Sequence, residues 1–167
     1  ITQIKPTFFE LDLKNQQDVN RFFLENRVDG IIHFAAHKAV GESVEKPLMY
    51  YRNNLLSLLN VLEAMKEFNV DNIIFSSSCT VYGQADEMPI DEQTPLKKAE
   101  SPYGKTKQMG EEILEDFSTA FNKNVICLRY FNPVGAHSSA KIGELPKGIP
   151  NNLIPYVTQT AAGIREM

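Results

Sequence analysis

The sequence predicts an α/β protein built on a doubly wound parallel sheet. Three observations predict it. Short apolar runs alternate with amphipathic stretches along most of the chain, the runs themselves are almost continuously apolar, and polar loops follow their carboxyl ends. Alternating strand and helix signals require parallel pairing through right-handed crossovers, and strands covered on both faces read as unbroken apolar runs.

Phe8 to Leu13 reads as a first strand ending in a polar turn. Asn15 to Arg27 has helical spacing, with Val19, Phe22, Phe23 and Leu24 on its buried face. Ile31 to Ala36 is a second strand behind an Asp29-Gly30 turn, and Leu48 to Phe68 a long helix with Leu55, Leu58, Leu59, Leu62 and Met65 inward. Asn72 to Ser78 is a third strand. Ser101-Pro102 opens the next helix, with Ser as N-cap and Pro at the first helical position. Met109, Ile113, Leu114, Phe117 and Phe121 form its core face. Val125 to Phe131 is a fourth strand, followed by a Gly-, Pro- and Asn-rich loop, and Asn151 begins a last helix. In such sheets ligands sit beyond the carboxyl ends of the strands, so Ala35 to Gly41, Ser76 to Gly83 and Asn132 to His137 are expected to line one crevice.

Composition narrows the function. A chain of 167 residues with 43% hydrophobic and 23% charged residues can bury one core. Its net charge of -4 leaves no excess of cations for nucleic acid or an anionic membrane surface. Cys79 and Cys127 have no CxxC spacing, which points to a reducing, cytoplasmic setting. No apolar run reaches the length of a membrane span. His33, His37 and His137 lack metal-ligand spacing, so no metal is expected. The first residue is Ile1 and not Met, and the natural start is expected upstream.

The sharpest chemistry is Tyr103-Gly104-Lys105-Thr106-Lys107 with Ser76-Ser77-Ser78 upstream at a strand end. Residues four apart share one helical face, about 6 Å along the axis. A phenol of pKa about 10 is a poor base at neutral pH. A unit positive charge about 4 Å away, at an effective dielectric of about 20, favours the phenolate by about 4 kcal/mol. Lys107 is therefore expected to lower the pKa of Tyr103 into the range useful for proton abstraction. Ser78 could orient the same substrate hydroxyl. A Ser-His-Asp hydrolase is excluded because no Gly-x-Ser-x-Gly elbow is present.

Together these features resemble the extended branch of the short-chain dehydrogenase/reductase superfamily, with its NAD(P)-binding Rossmann-like domain. Five ordered segments resemble its UDP-glucose 4-epimerase family in particular: His33 to Ser43, Phe75 to Gly83, Ser101 to Lys107, Arg129 to His137 and Gly148 to Pro155. The resemblance implies a function: interconversion of UDP-glucose and UDP-galactose with tightly bound NAD, in galactose metabolism. It implies Tyr103 as catalytic base, Lys107 lowering its pKa and bonding the nicotinamide ribose, and Ser78, with Thr80 as a second candidate, orienting the sugar hydroxyl. Asp12 and Leu13 match positions bordering the adenine. Phe34, Ala35, Ala36, Lys38, Asn53 and Phe131 match cofactor-lining positions. Asn132, Asn152 and Leu153 match positions holding the uridine diphosphate.

A related 4,6-dehydratase or decarboxylase would carry carboxylates where this chain has Cys79 and Thr80. The Gly-rich phosphate turn of such a fold, and the acidic residue about 20 residues after it, are not in this sequence. The resemblance therefore implies an internal piece. Residues 1–150 would be a partial cofactor domain and 151–167 the start of the substrate-binding region, inactive alone. A non-catalytic truncated product is the alternative, and family members commonly form homodimers through the two long helices.

Overall fold

The computed structural model describes residues 3–143 and 152–166. Two compact units emerge, one of Phe8–Tyr130 and the other of Ile1–Thr7 with Phe131–Met167. The expected boundary between 150 and 151, and Gly148 to Asn151 of the fifth motif, lie outside the described residues.

In the larger unit α1 spans Gln16–Glu25, because the Asn15 side chain accepts from the backbone N–H groups of Gln17 and Asp18 and caps it. Val19 and Phe23 are its buried stripe, whereas Leu24 is 75% exposed. Strand β1 is Ile31–His33, α2 is Val40–Glu45 and α3 is Pro47–Glu67. Strand β2 is Asn72–Ser76, a 3-10 turn covers Cys79–Tyr82, α4 is Pro102–Phe121 and β3 is Asn124–Leu128. As the sequence predicts, Ser101 caps α4 by accepting from Gly104 N, with Pro102 at the first helical position.

The strands pair in parallel in the order β1-β2-β3, with Ile32 beside Ile74 and Ile74 beside Ile126. Two right-handed crossovers that step in the same direction put both helices on one face. Accordingly α3 and α4 pack against each other, and Leu58, Leu62, Met65, Ile73, Phe75, Leu114 and Phe117 form the core between them and the sheet. Met109, Phe121 and Leu59, expected inward, are each about two-fifths exposed. The opposite face is apolar and open, carrying Ile32 and Ile126.

One predicted strand is not one. Phe8 to Leu13 joins no ladder among the described residues. Packing accounts for part of it: Phe9 meets Phe22 edge-on at 4.9 Å and Leu11 and Leu13 rest on the core, whereas Phe8 is exposed. An apolar run reports burial and not a hydrogen-bonding neighbour, and a strand needs both. The second and fourth strands also end sooner than predicted, at His33 and Leu128.

In the smaller unit α5 spans Leu153–Ala161 after Asn152, and the Arg165 guanidinium lies over the Tyr156 ring at 4.6 Å.

Candidate active site

Tyr103 and Lys107 stand one turn apart on α4. A close approach places them: a Cβ on Gly104 would lie 3.0 Å from the Ala99 Cβ and 3.3 Å from the Thr80 Cβ, so the start of α4 rests against the 3-10 turn. Lys107 is only 4% exposed. Its ammonium donates to the Ser76 carbonyl at 2.5 Å, lies 4.8 Å from the centre of the Phe75 ring and 5.8 Å from that of Tyr103. Burial lowers its pKa to about 8.

Ser78 is buried, and its hydroxyl caps the 3-10 turn by accepting from Thr80 N at 3.3 Å. Tyr103 departs from the sequence expectation. Burial pushes its phenol above the ordinary value, a hydrogen bond with Ser78 pulls it down, and Cys79 adds a smaller push upward. Loss of hydration outweighs the Ser78 hydrogen bond, and the Lys107 ammonium is turned onto Ser76.

Thr80 Oγ1 is buried with no partner among the described residues, an acceptor and donor waiting for a polar group. The loop after β1 carries Phe34, Ala35 and Lys38 exposed and Ala36 half-buried. It emerges beside Ser76 to Gly83, because parallel β1 and β2 present their carboxyl ends at one edge. Phe131, Asn132, Asn152 and Leu153 belong to the smaller unit and are exposed there.

A hydrogen-bonded chain that the sequence does not reveal joins several of these positions. Lys14 pairs with Asp12 at 3.3 Å and donates to Asn53 Oδ1 at 3.3 Å. The Lys14 backbone N–H, the larger influence, and this ammonium hold the Asp12 carboxyl below its usual range. The Leu13 carbonyl accepts from Asn60 at 2.8 Å. Asn53 donates to Asn54, and Asn54 clamps both backbone groups of His37, accepting at 2.8 Å and donating at 3.0 Å. Asn54 also donates to Thr106, whose hydroxyl donates to the Tyr103 carbonyl at 2.7 Å. The buried Tyr50 hydroxyl accepts from Ala39 N at 3.1 Å and donates to Glu42 at 2.9 Å, fixing the same loop. Asn in a helix usually faces water, so periodicity flagged none of this. The burial of Asn54 and Asn60 marks it.

The arrangement offers a phenol hydrogen-bonded to Ser78, an ammonium with further N–H donors, and a second, unpartnered hydroxyl at Thr80. That donor set suits hydrogen bonding to a polyhydroxyl ligand.

The family model described as the NAD dependent epimerase/dehydratase family matches residues 2–163. The chain is 54% identical over 158 residues to a UDP-glucose 4-epimerase of Bacillus subtilis, covering 94% of this chain and 46% of that protein. Among solved structures it is similar to UDP-glucose 4-epimerase from Bifidobacterium longum in complex with NAD+ and UDP. There the TM-score is 0.87 and the identity 52%, over 95% of this chain and 48% of that one. A Stenotrophomonas maltophila UDP-glucose-4-epimerase with bound NAD and formylated UDP-arabinopyranose gives a TM-score of 0.88 at 43% identity, over 96% and 48%. The chain spans about half the length of the curated relatives it matches.

Proposed function

The chain belongs to the NAD dependent epimerase/dehydratase family, and from that footing we propose that it is the catalytic, cofactor-facing part of a UDP-sugar 4-epimerase, an isomerase interconverting UDP-glucose and UDP-galactose. The observation that carries the reading is the convergence of the Tyr103 phenol, the Lys107 ammonium and the Ser78 hydroxyl at the carboxyl end of β2. NAD, when bound, would supply the hydride acceptor and donor that inversion at the sugar carbon requires.

The protein's own residues do the rest. Tyr103, as phenolate, takes the proton of the 4-hydroxyl while Ser78 holds that hydroxyl in line, and the same phenol gives the proton back after the 4-keto sugar has turned over. Lys107 has one hydrogen on Ser76, leaving others for the cofactor ribose. Its charge favours the phenolate even though burial opposes it. By the family resemblance, Phe34, Ala35, Ala36, Lys38 and Asn53 would hold the cofactor, Phe131 of the smaller unit would be a further contact, and Asp12 and Leu13 would border its adenine. Asn132, Asn152 and Leu153 hold the uridine diphosphate. In this reading residues 1–150 serve the cofactor, 151–167 begin the substrate-binding region, and α3 with α4 forms a homodimer interface. The setting is the cytoplasm and galactose metabolism; among the described residues no helix is long and apolar enough to cross a membrane. A dehydratase reading lacks support, because Cys79 and Thr80 offer no carboxylate for eliminating water.

The test is Tyr103→Phe in the complete gene product. A coupled assay from UDP-galactose should show turnover falling by about 10²- to 10⁴-fold. A near-normal rate would overturn the assignment.

A further inference from the structure

Strand β2 leaves its ladder at Ser76, the last residue paired with β3. Ser77 then turns tightly, its N–H donating back to the Phe75 carbonyl at 3.0 Å. Beyond this point the sheet no longer fixes the backbone, yet Ser78 must stand within reach of Tyr103. A side chain holds the stretch: the Ser77 hydroxyl donates to the Glu111 carboxylate.

Glu111 continues a row. Tyr103, Lys107 and Glu111 recur every four residues on one face of α4, and each meets one of three consecutive serines. Tyr103 meets the Ser78 side chain, Lys107 the Ser76 carbonyl and Glu111 the Ser77 hydroxyl. The Glu111 carboxylate is itself immobilised by Arg129, whose Nε donates at 3.1 and 3.2 Å and Nη2 at 2.7 Å. The other edge of that guanidinium donates to the Tyr82 hydroxyl at 3.1 Å and lies 5.0 Å from the Tyr82 ring centre. Cys79 N adds a bond to the Tyr130 carbonyl at 2.9 Å. A bidentate fork of this kind fixes orientation as well as distance. Its charge also cancels that of Glu111, one turn from Lys107.

We propose that Glu111, oriented by Arg129, is a positioning residue that sets the reach of Ser78 toward Tyr103 by anchoring Ser77. The inference rests on the reading of Tyr103 and Ser78 given above.

The test uses the complete gene product with NAD, and the variants Glu111→Ala, Glu111→Gln and Ser77→Ala. Ser77→Ala removes the anchor while leaving the Glu111–Arg129 pair intact, so it reports even if Glu111→Ala folds poorly. Both alanine variants should lower kcat by about 10- to 100-fold with KM for the UDP-sugar nearly unchanged, the signature of misplacement. The rising limb of the kcat–pH profile should move to higher pH, because a loosened Ser78 no longer pulls the phenol down. Glu111→Gln keeps an acceptor for Ser77 and should restore most of the rate. Ser77→Ala with wild-type kcat and an unmoved pH limb would overturn the proposal. A second readout does not depend on epimerisation: near-ultraviolet titration of the Tyr103 phenol, taken as the difference from Tyr103→Phe. An upward shift in Ser77→Ala supports the anchor even if the wild type fails to epimerise, which would sink only the functional reading. No shift overturns the anchor itself.

Discussion

The Lys107 ammonium donates to the Ser76 carbonyl at 2.5 Å in a site where it is almost wholly buried. Among the described residues it forms no ion pair. A charge held with so little compensation makes stability depend on pH.

Burial places the Lys107 pKa at about 8 against 10.5. The unfolded chain therefore binds more protons than the folded one between those values, and stability rises with pH across them. The cost, about 3 kcal/mol, is full below the lower value and gone above the upper one. Lys107→Met should lack this rise. Urea unfolding of both proteins at pH 8 and pH 10.5 reads the difference; parallel curves would mean the ammonium is solvated.

His33 carries the mirror prediction on the acid side. It is buried at the end of β1, stacked 6.0 Å from the Phe75 ring, and its Nε2 has no partner among the described residues. Burial first, and the Lys107 charge second, lower its pKa from 6.5 to about 4. Again the unfolded state binds more protons in between, so the full stability above the upper value is lost as the pH falls toward the lower. The loss is about 3 kcal/mol. His33→Leu should shift the acid-unfolding midpoint to lower pH, and an unchanged midpoint would refute the assignment.

Gly110 lets α4 lie flat on the sheet. A Cβ there would stand 2.8 Å from Phe75 Cζ and 3.2 Å from Cε1. Gly110→Ala should destabilise the protein by about 1–3 kcal/mol through this overlap, although alanine is the better helix former. Thermal unfolding measures the loss. Phe75→Leu in the same chain should recover part of it, because the two changes share one contact.

Much of the framework was legible in the residues alone. Ser101-Pro102 announces α4 because caps act on neighbours in sequence, and apolar spacing announces α1. The spacing of Tyr103 and Lys107 puts them on one helical face whatever the rest of the fold does. Phe8 to Leu13 misled for the complementary reason: it has the apolar character of a strand but no ladder to join. Short α2 and the Cys79–Tyr82 turn were missed because six and four residues carry too little periodicity to register. Glu111 and Arg129 read as ordinary charges on a helix and at a strand end. Nothing local says that they meet, 18 positions apart in the chain.

What the sequence determined by itself is therefore what depends on near neighbours: the parallel α/β class, the helix starts and the identities of the phenol, ammonium and serines. Tertiary structure alone decided the direction of the Tyr103 shift, the clamp of Asn54 on His37 and the anchoring of Ser77 by Glu111. The physical reason is range. Capping and helical periodicity act over a few residues, whereas desolvation and cross-element hydrogen bonds depend on which distant segments the fold packs around a group.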